Sequence, residues 1–314
     1  MQREKPWRPK FVYLDLNHWI YLAQAESGNP EREHYRLALE MASKLVSTGN
    51  AVFPVSAFHF MEVAKIADAA RRKKLANLMM RLSQGLLLSA ASSLLVDELR
   101  MAVAKTFKRN FQEHAIASVT RSLKAAFGSM AAASMPQRLD ELASEPAFLE
   151  DLLANGRLSK HLIEKAEIIA EDHENARKSA WDVSRQIRKR LYCARLTLGI
   201  QSYLLSVLRE FDLGFTDLEN LGPDGMVGLL ESVPPLDVEI SLHTERNEHR
   251  DRRIEPNDEF DLGFLSMAIP YCHVVATERF WTSLVHRAKL DKKYGTKVGH
   301  DLSELLQSAF PSDC

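Results

Sequence analysis

Five carboxylates stand where a sequence seldom places them by accident. Asp15 closes the apolar stretch "FVYLDLNHWIYLA", which otherwise reads as a buried strand running into a helix. Glu62 falls in the first turns of the helix that follows "AVFPVS", and Asp258 and Asp261 open the helix before "HVVAT". Glu278 directly follows that last stretch. Carboxylates gathered at one place repel one another, and burying them unpaired is costly. A hard divalent cation removes the conflict. Mg²⁺ or Mn²⁺ takes a few carboxylates together with water and phosphate oxygens, and such a centre suits hydrolysis of a phosphodiester. No histidine or cysteine is needed for that chemistry.

The elements that must position these acids follow from the pattern of apolar residues. "KFVYLDL" reads as a first buried strand and "HWIYLAQA" as the helix after it. Asn29 and Pro30 predict an N-cap and first position for a second helix over 31–47. "AVFPVS" predicts a second strand, and a long helix opened by Ser56 follows it. "GLLLSAASSLLV" over 85–96 reads as a buried helix, too short to span a bilayer. From 67 to 230 the chain reads almost wholly as helix, with breaks at Met135-Pro136, Asn155-Gly156 and Gly222-Pro223. "VPPLDVEISL" then predicts an extended segment, and "HTERNEHRDRRIEPNDEF" a charged connection. "DLGFLSMAIPYCHVVATERFWTSLVHRA" predicts helix, strand and helix, and "KLDKKYGTKVG" a further edge segment. The order implies an α/β fold with a parallel sheet. If the strands are parallel neighbours, the acids meet at the carboxyl ends of the sheet, where such folds bind ligands.

Composition bounds the rest. The 314 residues carry 41 basic and 42 acidic side chains, which argues against an overall basic coat for nucleic acid and leaves room for a local basic groove. Cys193, Cys272 and Cys314 are odd in number and far apart, so neither a disulfide framework nor a zinc ribbon is expected. "MQREKPWRPK" lacks the apolar run of a secretory signal. These features predict a cytoplasmic protein with no membrane segment and leave the oligomeric state open.

The ordered motifs resemble the PIN-like domain family of metal-dependent nucleases. That family opens on a strand ending in Asp, often with Asn two residues on, as in "YLDLN". A hydroxyl residue then starts a helix carrying a Glu, as in "VSAFHFMEV" with Ser56 and Glu62. A later helix opens with Asp and leads through Ala to an apolar strand ending in Thr; here these are Asp261, Ala268 and Thr277. The resemblance implies a PIN-like parallel-sheet, three-layer core over residues 1–66 and 231–314, with 67–230 as a large helical insertion. It implies an endoribonuclease, with Mg²⁺ or Mn²⁺ held by Asp15, Glu62, Asp261 and Glu278, and with Asp258 as partner or second ligand. Asn17, Ser56 and Thr277 would support them. The sequence departs from the family where Arg279 stands in place of the usual final Asp; Glu278, one position earlier, is placed to serve instead. Family members include toxins, RNA-processing enzymes and defence effectors, and the enlarged middle points to a specialised effector.

Each residue also has a plainer role open to it. Asp15 reads as a helix N-cap, Asn17 as a turn residue, Ser56 as a cap and Glu62 as a solvent-facing helix residue. Asp258 and Asp261 lie one turn apart, so one can cap while the other binds metal. His18 and Trp19 read as packing residues, and His273 as structural. Arg250, Arg252 and Arg253, with Arg279, would contact substrate phosphates, or the first three lie in a solvated loop. "RQIRKRLYCAR", with Tyr192 among its charges, reads either as a second nucleic-acid track or as a solvated face. A different class of function remains open: a catalytically degenerate core whose helical block binds protein or nucleic acid. A dinucleotide-binding fold is disfavoured, because "DLNHW" lacks the Gly-rich turn.

Overall fold

A computed structural model describes residues 9–112, 116–128, 137–142, 145–156 and 160–311. Residues 1–8 and 312–314 of the expected core, Cys314 and the Met135-Pro136 break lie outside the described residues. The first part of the chain forms β1 (Lys10–Leu14), α1 (Leu16–Glu26), α2 (His34–Ser47), β2 (Ala51–Val52), α3 (Ala57–Val63), α4 (Ala69–Ser83) and β3 (Leu87–Leu88). The middle is α5 (Ala91–Thr106), β4 (Val119–Thr120), α6 (Leu123–Phe127), α7 (Gln137–Leu142), α8 (Pro146–Asn155), α9 (Lys160–Ser179), α10 (Arg185–Glu210) and α11 (Phe215–Glu231). Then come α12 (Pro234–Arg246), α13 (Pro256–Tyr271), β5 (Val274–Ala276), α14 (Arg279–Arg287), α15 (Leu290–Tyr294), β6 (Lys297–Gly299) and α16 (Leu302–Ala309).

The fold is mixed α/β. Four parallel strands run in the order β2-β1-β5-β6. Alternation along the strands sends side chains to two cores. Val12, Leu14, Val274 and Ala276 join a cluster with residues of α1, α2, α4 and α16. Tyr13, Val275 and Val298 face the other way, into residues of α12, α13 and α14. Both faces are covered, which is why strand residues 12–14 and 274–276 are all buried. A third cluster joins α5, α10, α11 and α12. The first cluster also takes in Leu75, Met79, Leu87, Leu149 and Leu153, so helices beyond position 66 share one apolar core with the sheet, α4 packing on α1 and α2, and α8 on α4 and α3.

Several expected elements differ. Segment 234–246 is helix α12, not extended. Its two prolines occupy the first turn, where a missing N–H costs nothing, and burial on nearly every side, apolar and ion-paired residues alike, replaces the alternation a strand would need. The helix expected from Ser56 to Ser83 is two helices, because Asp68 caps a fresh start through the N–H groups of Ala70 and Arg71. In "GLLLSAASSLLV" only the second half is helical; Leu87 and Leu88 form β3, which pairs antiparallel with β4. Helix α2 begins at His34, with Asn29 and Pro30 in the preceding turn. The Gly222-Pro223 break is present as a kink, with Gly222 at φ +65°, a backbone state open to glycine. The edge segment expected near the C-terminus is β6.

Candidate active site

The strand order reverses between β1 and β5, so the crevice beyond their carboxyl ends is the switch point where ligands gather in such sheets. Asp15 and Thr277 are the first residues past those two strands, and the Asp15 N–H donates to the Ala276 carbonyl at 3.0 Å. Asp15 is the N-cap of α1; its Oδ1 accepts the N–H groups of Asn17 and His18 at 3.0 and 3.3 Å. The capping role and the buried site are therefore one position. Burial, then the charge of Glu278, push the Asp15 carboxyl up to about 7, against the opposing pull of those N–H donors.

Glu62 arrives by a different route. Ser56 caps α3, and its N–H donates to His59 Nδ1 at 2.9 Å. His59 Nε2 meets the Leu14 carbonyl at 2.8 Å, which makes Nε2 the protonated nitrogen and Nδ1 the acceptor. One buried imidazole thus ties the start of α3 to the end of β1, and Glu62 lies a turn further along. The Ser56 hydroxyl sits against the Tyr13 hydroxyl at 2.8 Å, deep in the core. Burial raises Glu62 to about 8, with Asp261 its strongest acidic neighbour and Asp15 and Glu278 adding to it.

Helix α13 supplies the third acid. Pro256 occupies its first turn, and Asp258 Oδ2 accepts the Glu255 N–H at 3.0 Å. Arg252 grips both Asp258 oxygens at 2.7 and 2.6 Å. Glu255 is thus the N-cap and Asp258 its reciprocal capping partner and the ion-pair partner of Arg252, so both Asp258 oxygens are taken. Asp261, one turn on, accepts from Trp281 Nε1 at 2.8 Å. Burial raises Asp261 to about 8, opposed by Trp281 and reinforced by Asp15, Glu278 and Asp258.

Glu278 is exposed at the N-cap of α14, where its Oε1 accepts from Asn17 Nδ2 at 2.8 Å. Asn17 thus orients Glu278 with its side chain and Asp15 with its backbone. The Thr277 hydroxyl is buried without a hydrogen-bond partner of good geometry, close enough to Asp15 to lower its pKa slightly. His18 is a packing residue: its Nδ1 lies 2.5 Å from the Tyr35 hydroxyl, and burial holds it neutral, near 4. Among the described residues, no group of three or more His, Cys, Asp or Glu is arranged to hold a metal ion.

The arginines divide. Arg252 is committed to Asp258 and lies over the Phe280 ring. Arg250 packs over Trp181, and Arg253 is exposed. Arg279 borders a cavity of about 380 Å³ that also holds Asp15, Thr277 and Glu278. The basic face of α10 is neutralised: Arg185, Arg188, Lys189, Arg190 and Arg195 each pair with an acid. Tyr192 is buried, bonded to Glu239 and stacked on His243 at 3.5 Å. The basic side chains of this face are thus engaged with acids of the same chain. The same helix is long and apolar enough by composition to cross a membrane, but one side of it packs in the third cluster.

Sequence reasoning passed over three supports of the site. His59 was legible, because a polar side chain at the third position after a Ser cap is the capping-box spacing. Trp281 and Arg32, another wall of the cavity, carry no local signal, since both reach the site only through tertiary packing. No family model, curated protein or solved structure matches this chain.

Proposed function

We propose that the chain is a PIN-like, Mg²⁺- or Mn²⁺-dependent nuclease acting on RNA. One observation carries this reading. Asp15, Glu62 and Asp261, carried by three different elements, are all desolvated and raised, Glu62 by the charges of Asp261 and Asp15, Asp261 by that of Asp15, and Asp15 by that of Glu278. A fold gains nothing from such a cluster unless something positive shares it. The donor set, being all carboxylate oxygen, is of the kind a hard cation takes.

In this reading Asp15, Glu62 and Asp261 hold the ion, while Asp258 fixes the start of α13. A bound divalent ion would supply an acidified water and charge neutralisation at the phosphate. Glu278, exposed and steered by Asn17, stands beside them as the fourth acid. Cleavage of single-stranded RNA with Mn²⁺ tests the reading, comparing wild type with the Asp15→Asn, Asp261→Asn double variant. Equal rates in the two proteins would sink it.

The alternative, a degenerate core whose helical block binds a partner, draws on Leu191 and Leu198 of α10, which are 55% and 73% exposed. Absence of any Mn²⁺ heat by calorimetry, together with a stable partner complex, would favour it.

A further inference from the structure

The cavity beside the acids has a second wall that the catalytic reading does not use. Arg32, in the turn before α2, and Arg279, at the start of α14, both line it, and both are exposed. Most arginines nearby are spent on carboxylates or carbonyls, as Arg252 and Arg177 are. Arg32 and Arg279 have no ion-pair partner among the described residues. The guanidinium of Arg32 lies over the Tyr21 ring at 4.7 Å. Tyr21 is in turn 5.0 Å from the Tyr35 ring, and His34 adds a third ring at 4.7 Å from Tyr35. Arg32 and Arg279 thus line, with the rings of Tyr21, His34 and Tyr35 and the carboxylates of Glu278 and Asp301, a hollow of about 380 Å³ that opens on Asp15.

Guanidinium groups hold phosphodiester oxygens. Exposed aromatic rings stack on bases that have left a helix. A hollow of this size takes one nucleotide and excludes a duplex, whose bases are stacked and paired. Resting on the nuclease reading above, we infer that this cavity seats the unstacked nucleotide next to the scissile phosphate of single-stranded RNA. Arg279 and Arg32 clamp its phosphates, and His34, with the Tyr21 face that Arg32 uncovers as its exposed guanidinium turns to the phosphate, provides the platform for its base.

The test is fluorescence anisotropy of a labelled single-stranded oligouridylate on the full chain in EDTA, over a range of KCl, so that binding is read without cleavage. Arg32→Ala with Arg279→Ala weakens binding and lowers the slope of log K against log salt by about 0.7 for each phosphate no longer neutralised. Tyr21→Ala weakens binding roughly tenfold, the loss of one stacking platform, and leaves the slope unchanged. Arg209→Ala, at the far end of α10, changes neither. An unlabelled duplex of the same length competes worse than the single strand. Both arginines are on the surface, so unchanged circular dichroism confirms that the variants fold. If wild type cleaves RNA while the double-arginine variant keeps wild-type affinity and slope, the inference fails and the nuclease reading stands. If wild type neither binds nor cleaves RNA, both fail.

Discussion

The indole Nε1 of Trp281 donates to Oδ2 of Asp261 at 2.8 Å, so the acid of α13 is held from α14, across the end of β5. That bond orients Asp261 without discharging its repulsion from Asp15 and Glu278, which with burial lifts its carboxyl to about 8.

The first consequence is a pH dependence. The folded pKa of Asp261 is above its unfolded value, so near pH 4 the unfolded chain begins to release a proton that the folded chain keeps. The contribution is full below about pH 4 and is lost as pH rises through about 8. Asp261→Asn, without metal, is therefore expected to gain stability over wild type as pH rises across that window, by on the order of 1–3 kcal/mol. Urea titrations at pH 5 and pH 8.5 check this. Mn²⁺ should stabilise the wild type most at the higher pH, by about 2.7 kcal/mol at a hundredfold excess over Kd, and should do little for Asp15→Asn, Asp261→Asn.

The buried histidines act in the opposite sense. Burial depresses His18 and His59 to about 4, below their unfolded value. As pH falls from about 6.5 toward 4 the unfolded chain takes up protons first, and stability falls. Nitrogen-15 NMR should show both rings neutral at pH 5.5, with His59 protonated at Nε2. A ring that titrates near 6.5 would refute this.

Arg252→Ala leaves Asp258 buried at 2% exposure with its partner gone. Losing one member of a buried pair costs about 3–5 kcal/mol. Arg252 is 39% exposed, so solvent screens part of that, and roughly 2 kcal/mol is expected. Arg253→Ala should be close to neutral. Asp258→Asn in the Arg252→Ala background should recover part of the loss. Urea unfolding of the three proteins measures it.

Gly263 sets the spacing of α3 and α13, the helices that carry Glu62 and Asp261. A Cβ there would stand 2.6 Å from Phe58 Cζ, and the Phe58 ring lies between Phe260 and Phe264. Gly263→Ala gains about 1 kcal/mol of helix propensity against a cost of about 1–3 kcal/mol for overpacking, so a net loss is expected, with slower RNA cleavage. Gly199→Ala, in α10 with nothing within 4 Å, should stabilise instead. If Gly263→Ala melts higher than wild type, the close approach is not limiting.

By itself the sequence determined the parts that are local. The apolar run over 11–14, the apolar strand before Thr277 and the acid after each strand follow from side-chain type and spacing, and they specified a parallel α/β core with Asp15, Glu62 and Asp261 as candidates. That one of Asp258 and Asp261 would serve the start of α13 was also legible, since they lie one turn apart; the grip of Arg252 on Asp258 was not. Tertiary structure decided what depends on partners distant in the chain. Segment 234–246 is helical because burial on almost all sides outweighs its β-like composition, and Pro234 and Pro235 suit a helix start as well as an extended segment. The arginines of 185–195 are neutralised by acids 23 to 60 residues away, which no local window contains. Arg32 and Arg279 make no ion pair among the described residues for the same kind of reason: the fold sets them on the wall of the cavity that Asp15 opens on, with Glu278 and Asp301, and lays Arg32 over the Tyr21 ring instead.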